Sequence, residues 1–382
     1  MKIGINGFFL TRPYTGFGEY TIGYLTALSK IDDKNQYIVY CPKKVDISLN
    51  KNFTIKVITP CSFLGASLAK LWWEQFQIMA DARKEKCDFV HHFYPVYSLL
   101  FQSMRQIDSI HDTIPWTFPG YNYSFSTRFL RKFIAYSAQK ADLILTVSAT
   151  SQEEIIKNFL ISPQKVKMIY NGYDQSLDKQ ISLGEIEKAL EKYHIHKPYI
   201  FYLGGFDLRK NIKNLVLAFA KISKNIPENL VLAGGVFSPQ RKIYEDYYQL
   251  PDIIKRNRLK DRVLMCGPIE TEDLTALYQG ASFFVSPTKA EGFNIPVLQA
   301  FASGVAVACA NTSATKEISS GSALMFNPDK IEEIADSLYT LSRDKKTRGD
   351  YAKKAFSRAK EFSWDKSARE LLKIYNEFGS LR

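Results

Sequence analysis

Short apolar runs that stop at a glycine, a proline or a polar turn and give way to helical periodicity recur along the whole chain. No other feature restricts its fold as much. Lys2–Asn6 is the first such run, followed by Gly16-Phe-Gly18 and a helical pattern from Glu19 to Leu28 with Tyr20, Tyr24 and Leu28 on one face. Gln36–Cys41, Thr54–Ile58, Cys87–Phe93, Gln106–Ile110, Ala141–Val147 and Val166–Asp174 repeat the strand-like pattern, with helices expected at Leu71–Ala82 and Phe125–Ala138. A polar stretch from Gln175 to Pro198, helical between Gly184 and Tyr193, then separates this series from a second. The second opens at Tyr199–Gly205 and continues through Asn229–Gly235, Val263–Pro268, Ser282–Pro287, Val305–Cys309 and Ser322–Pro328. Strands alternating with helices predict parallel sheets wrapped by helices, and 382 residues suffice for two such domains.

Composition narrows the function. At 46% hydrophobic and 24% charged the chain reads as a folded, soluble protein, with no apolar run of bilayer-spanning length and no signal-peptide pattern ahead of the first strand. The expected location is the cytoplasm. The five cysteines (Cys41, Cys61, Cys87, Cys266, Cys309) are odd in number, scattered and mostly set in apolar runs, so they read as core residues without disulfides or a zinc spacing. A formal charge of +12 suits nucleic acid, an anionic membrane or a phosphate-bearing small molecule. No nucleic-acid signature accompanies it, so nucleic acid is not expected as a partner. The histidines lack a metal-ligand spacing, and no metal site is expected.

Candidate site residues stand where strands end. Glu291 follows the strand that stops at Pro287, and Pro296 suits the first turn of a helix whose apolar face is Val297, Leu298, Phe301 and Ala302. The amides of Phe293, Asn294 and Ile295 therefore lie at a helix N-terminus, where anions bind. An acid beside such amides can hold sugar hydroxyls while the helix end holds a phosphate. Arg209 and Lys210 precede a helix that starts near Asn211, and two cations at a positive helix end again fit phosphate. His111 and Asp112 follow the strand Gln106–Ile110, and open parallel sheets place ligands at such ends. Each residue also has an ordinary reading: Glu291 as a helix cap, His111 as a core histidine, Arg209 and Lys210 as solvated loop cations, Gly16 and Gly18 as a tight turn. His91 and His92 are cleft-lining or structural. The basic helix Phe125–Ala138, with Arg128, Arg131 and Lys132, either packs on its own sheet or lies on a membrane.

The segment Glu291-Gly-Phe-Asn-Ile-Pro-Val-Leu-Gln-Ala-Phe-Ala-Ser-Gly304 closely resembles a motif of the retaining glycosyltransferases of family four, which have the GT-B fold. The His111-Asp112-x-x-Pro115, Arg209-Lys210-Asn211 and Asn171-Gly-x-Asp174 segments and the last helix from Trp364 extend the resemblance over nearly the whole chain. It implies two Rossmann-like domains facing a central cleft: residues 1–180 on the acceptor side, completed by about 364–382, and residues 181–363 binding the nucleotide sugar. It also implies that Glu291 holds the donor sugar, that His111 lies under that sugar, and that Asp112 stands beside it on the acceptor side. Arg209 and Lys210 would meet the diphosphate. Gly16 and Gly18 would face the phosphates, and Gly267 to Ile269 would offer main-chain contacts to the base. Two departures stand out. Gln299 replaces the family's ribose-binding glutamate, and Phe206 occupies a position where many members have arginine. The implied reaction is metal-independent, retaining transfer of a hexose from a nucleoside diphosphate sugar, UDP favoured over GDP, to a hydroxyl of a growing or lipid-linked glycan in bacterial-type polysaccharide biosynthesis. No cofactor is implied, and peripheral contact at the inner face of the membrane is the alternative placement. The rival readings are a non-catalytic GT-B-like protein and a nucleotide-sugar-modifying Rossmann enzyme. The latter is opposed by the missing third glycine after Gly18.

Overall fold

A computed structural model describes residues 1–61, 65–121, 125–235 and 244–380, with side chains described except at 125–130 and Ser313. Contacts divide the chain into two compact units. The first comprises Met1–Thr117, Asn122–Gly172 and Ser363–Arg382, and the second Phe118–Tyr121 and Tyr173–Phe362.

In the first unit, β1 (Lys2–Asn6), β2 (Gln36–Cys41), β3 (Phe53–Val57), β4 (Phe89–His92), β5 (Gln106–Ser109), β6 (Leu143–Thr146) and β7 (Val166–Met168) form one parallel sheet in the order β3-β2-β1-β4-β5-β6-β7. Ile3 pairs with Tyr37 on one side and Phe89 on the other, so the chain reverses its direction of winding between β1 and β4. Ile3, Ile5, Val39, Val90, Ile107 and Ile144 are fully buried, as expected of strands covered on both faces. The helix α1 (Gly16–Ile31) covers one face together with the C-terminal helix Trp364–Ser380. The two helices approach so closely that a Cβ on Gly23 would lie 2.2 Å from the Trp364 indole, which explains the glycine. Ser367 Oγ donates to the Tyr170 carbonyl, and the Tyr375 hydroxyl lies 2.6 Å from His91 Nδ1.

In the second unit, β8 (Tyr199–Leu203), β9 (Asn229–Ala233), β10 (Val263–Gly267), β11 (Phe283–Ser286), β12 (Val307–Ala310) and β13 (Leu324–Phe326) form a parallel sheet in the order β10-β9-β8-β11-β12-β13. Here the winding reverses between β8 and β11, which pair through Phe283–Ile200 and Phe284–Phe201. The helix α2 (Ile212–Ile222) packs Leu215, Val216 and Phe219 into the core. The helix α3 (Ile295–Ala302) is buried from Val297 to Ala302, Gln299 and Ala300 included, with Ile295 and Pro296 half-buried, and so has no polar face.

Several expectations need correction. α1 begins at Gly16, so the Gly-x-Gly segment is its first turn and not a loop: Thr15 caps it, accepting from the Gly18 amide at 3.1 Å. The helical run after β3 extends over residues 66–84 and contains a π-turn at Trp73–Gln77. All five cysteines are free, but only Cys41, Cys87 and Cys309 are buried, while Cys61 and Cys266 are half-buried. The basic helix spans Phe125–Lys140. The Arg128 side chain lies outside the described residues, Arg131 is half-buried, and Lys132 is exposed.

Candidate functional site

Reversal of winding leaves a crevice at the carboxyl ends of the two central strands, because the connections from them depart to opposite faces of the sheet. In the second unit those strands are β8 and β11. The loop after β8 tightens into a single 3-10 turn, Leu208–Lys210, before α2. The loop after β11 runs from Pro287 to Asn294 before α3. Asparagine fixes both exits. Asn211, at φ +58°, donates to the carbonyls of Pro287 at 3.2 Å and Pro328 at 2.7 Å, tying one loop to the other. Asn294, at φ +71°, donates to Ser286 Oγ and Thr315 Oγ1, each at 3.0 Å. Both occupy the left-handed region, which asparagine tolerates better than most residues.

These exits bring Arg209, Lys210 and Glu291 together. Arg209 Nη1 lies 2.8 Å from Glu291 Oε2, and the Lys210 ammonium pairs with Oε1. Arg209 also donates to the Ala290 carbonyl at 3.0 Å, and its Nε lies 3.2 Å from Asp207 Oδ1. The Tyr121 hydroxyl donates to the same Asp207 oxygen. The Glu291 side chain is 11% exposed and that of Lys210 10%. Burial works to raise the Glu291 pKa, but the charges of Arg209 and Lys210 outweigh it and hold the carboxyl below the usual glutamate range. The group is therefore ionised at neutral pH.

The other expected residues of this unit lie before and in α3 and at the end of β10. Phe293 is buried against Phe362, with ring centroids 5.9 Å apart. The Gln299 side-chain carbonyl accepts from the Tyr278 hydroxyl at 3.0 Å, so the oxygen proposed for ribose already has a protein donor. Gly267, at φ +73°, ends β10 and accepts from the Gly234 amide at 2.7 Å; Ile269 is buried just beyond it. Phe206 is a core residue packed on Tyr247 at 5.2 Å. Sequence reasoning missed Asp207 and Tyr121. The Asp-x-Arg spacing at 207–209 was a readable signal for the first, whereas nothing local marks Tyr121.

In the first unit His111 leaves β5 with its ring 4.5 Å from Phe17 and 4.3 Å from Tyr20, so the first turn of α1 lies against it. Burial lowers its pKa to about 3 and keeps it neutral. Its Nε2 is buried without a hydrogen-bond partner among the described residues. Asp112 accepts from the Ile114 amide at 3.0 Å. The Gly18 amide is spent on Thr15, and a Cβ at Gly18 would lie 2.2 Å from the Arg12 carbonyl oxygen, so local packing alone accounts for that glycine. His91 and His92 are fully buried and structural: His91 Nε2 lies 2.9 Å from Ser109 Oγ, and His92 Nε2 lies 3.2 Å from Gln106 Oε1.

Two doubly wound parallel-sheet units, with the last helix returned to the first, define the class of GT-B proteins. Solved structures carry the same fold. Sucrose-phosphate synthase of Thermosynechococcus elongatus aligns over 100% of both chains with a TM-score of 0.77 and 19% identity. Anabaena HepE, in complex with UDP and glucose, aligns over 98% of this chain and 99% of its own with a TM-score of 0.74 and 16% identity. Residues 16–177 match the family described as glycosyltransferase family 4, and residues 185–358 match glycosyl transferases group 1. The chain belongs to the family-four type of GT-B glycosyltransferases. It is 27% identical to the O-antigen chain mannosyltransferase B of Escherichia coli over 78% of this chain and 76% of that protein. To the O-antigen chain mannosyltransferase RfbU of Salmonella typhimurium it is 26% identical over 86% and 90%. Among the described residues no helix is long and apolar enough to cross a membrane.

Proposed function

We propose that this glycosyltransferase moves a hexose from a nucleoside diphosphate sugar to a hydroxyl of a growing or lipid-linked glycan in bacterial-type polysaccharide synthesis. Transfer retains the anomeric configuration and needs no metal. The observation that carries this reading is the pairing of one buried carboxylate, Glu291, with both Arg209 and Lys210 at the crevice of the second unit. An ionised carboxylate accepts hydrogen bonds from sugar hydroxyls, while a guanidinium and an ammonium at helix N-termini meet a diphosphate. The negative charge on that diphosphate grows as the glycosidic bond breaks, so the same two cations stabilise the transition state more than the bound donor.

Held ionised between two cations, Glu291 is a weak nucleophile and serves to position the sugar. Retention then follows from attack on the face that the diphosphate leaves, with the leaving group accepting the acceptor's proton. The relatives support the substrate class: two are O-antigen mannosyltransferases, and a 30% identical Campylobacter jejuni relative, matched over 61% of this chain and 60% of its own, is a 4-alpha-N-acetylgalactosaminyltransferase named for a diphospho-undecaprenol substrate. HepE with bound UDP supports UDP as the preferred nucleotide.

A panel of UDP-, GDP- and ADP-sugars, scored for nucleotide release with and without EDTA, tests the reading. Release from one donor, strongest with UDP and insensitive to EDTA, is expected. Release from none, together with NAD binding, would favour the dinucleotide enzyme instead. A product of inverted configuration by NMR would overturn retention.

A further inference from the structure

Asp207 opens the 3-10 turn Leu208–Lys210, a position from which an aspartate ordinarily caps the amides that follow it. Here its side chain caps none of them. Its Oδ1 instead faces Arg209 Nε at 3.2 Å and accepts from the Tyr121 hydroxyl, and the Asp207 side chain is only 11% exposed. Phe118–Tyr121 belongs to the second unit, although the residues on either side of it in sequence belong to the first. Within this short segment the Tyr121 ring packs on Phe118, with centroids 5.4 Å apart. Burial holds the Tyr121 pKa well above the tyrosine range, so its hydroxyl stays protonated and donates.

Two carboxylates therefore hold one guanidinium by different atoms: Asp207 at Nε, and Glu291 at Nη1, which also donates to the Ala290 carbonyl at 3.0 Å. A guanidinium is a rigid planar fork, so anchors on two of its nitrogens fix both its plane and its direction. In the proposed reaction the two anchors have different fates. Glu291 turns to sugar hydroxyls when the donor enters, so its grip on Arg209 is divided when the diphosphate develops charge. The partners of Asp207 are Tyr121 and Arg209, both of the protein, and its grip is kept.

We propose that Asp207, itself held by Tyr121, is a positioning residue that keeps the Arg209 guanidinium aimed at the donor diphosphate while Glu291 is engaged by the sugar. The proposal rests on the roles given above to Glu291 and Arg209. Asp207 acts through Arg209 and does not itself touch substrate. A misaligned cation loses more of its hold on the transition state, where the charge develops, than on the bound nucleotide.

Asp207→Asn keeps the shape of the side chain and removes its charge, and Tyr121→Phe removes only the hydroxyl. Turnover in nucleotide release should fall at least about tenfold in Asp207→Asn and about threefold in Tyr121→Phe, as expected of a displaced catalytic group. UDP, titrated by calorimetry, should bind Asp207→Asn at least as tightly as the parent, because a negative charge beside the two cations is gone. A merely structural loss would weaken binding and turnover together. In an Arg209→Ala background neither substitution should lower turnover further, since the group they act through is missing. The Arg209 Nε–H signal in NMR, assigned by its loss in Arg209→Lys, should be protected from exchange with water in the parent and lose protection in both variants. That measurement needs no turnover, so the two readings fail separately: a parent inert toward every donor refutes the transferase, and a signal equally protected in parent and variants refutes the positioning. Unchanged turnover in both variants, additive losses in the Arg209→Ala background, or UDP affinity that falls in step with turnover would also overturn the proposal.

Discussion

Glu291 stays charged where little water reaches it because Arg209 Nη1 stands 2.8 Å away and the Lys210 ammonium holds its other oxygen. Removing either cation leaves a buried carboxylate under-compensated and deprives the donor diphosphate of a charge-assisted bond. Arg209→Ala and Lys210→Ala should each weaken donor use by about 1.5–3 kcal/mol, visible in kcat/KM for nucleotide release. Unchanged donor kinetics in both would remove the pair from the site. The pH dependence follows from the same charges. The folded-state pKa of Glu291 lies below its unfolded value, so its contribution is complete above the unfolded pKa and is lost as pH falls through the folded one. The acid limb of donor binding should therefore lie below pH 4.5 in the parent and move upward in Lys210→Ala, as titrating donor binding against pH would show. Gln299→Glu should bind donor at least as well as the parent, since a carboxylate accepts from a hydroxyl more strongly than an amide. A raised donor KM would displace Gln299 from the ribose contact. The Arg209, Lys210 and Glu291 cluster was legible in the sequence because each residue stands just beyond a strand or just before a helix. Asp207 and Tyr121 were not assigned, because their pairing joins positions 86 residues apart.

At the scale of elements, α1 makes two glycines testable against each other. A Cβ at Gly16 meets nothing within 4 Å, whereas one at Gly18 falls 2.2 Å from the Arg12 carbonyl oxygen. Gly16→Ala should leave stability unchanged or raise it by about 0.4–1 kcal/mol, because alanine restricts the unfolded chain. Gly18→Ala should cost about 1–3 kcal/mol, because backbone must move to admit the methyl group. Urea melts of the two variants check both signs. Nucleotide release by Gly16→Ala tests the separate expectation that this glycine lets a phosphate approach. The strands themselves were readable, since apolar runs of four to seven residues bounded by glycine or proline have few alternatives. The start of α1 was misplaced by three residues, from Gly16 to Glu19, because the glycines suggested a loop and the cap at Thr15 was not recognised.

At the scale of the whole molecule, acid should act first on the first unit. His92 is fully buried, and burial lowers its pKa to about 4, while burial also holds His91 well below its usual range. The unfolded chain binds protons at these sites that the folded chain does not, so stability is complete above pH 6.5 and falls as pH drops toward the folded values. Each such histidine adds a slope of about 1.4 kcal/mol per pH unit in that window. Urea melts between pH 7 and pH 5 should show the loss, and His92→Gln should reduce its slope.

The sequence by itself determined two parallel-sheet units and the loops that hold the candidate site, because doubly buried strands and their helices leave a periodic record in neighbouring residues. It did not determine which distant groups meet. That the Gln299 carbonyl takes the Tyr278 hydroxyl, that Asp207 binds Arg209 and Tyr121 together, and that Trp364 closes on Gly23 were decided only by tertiary structure. Such contacts depend on the distance between chain segments after packing, and no local periodicity encodes it.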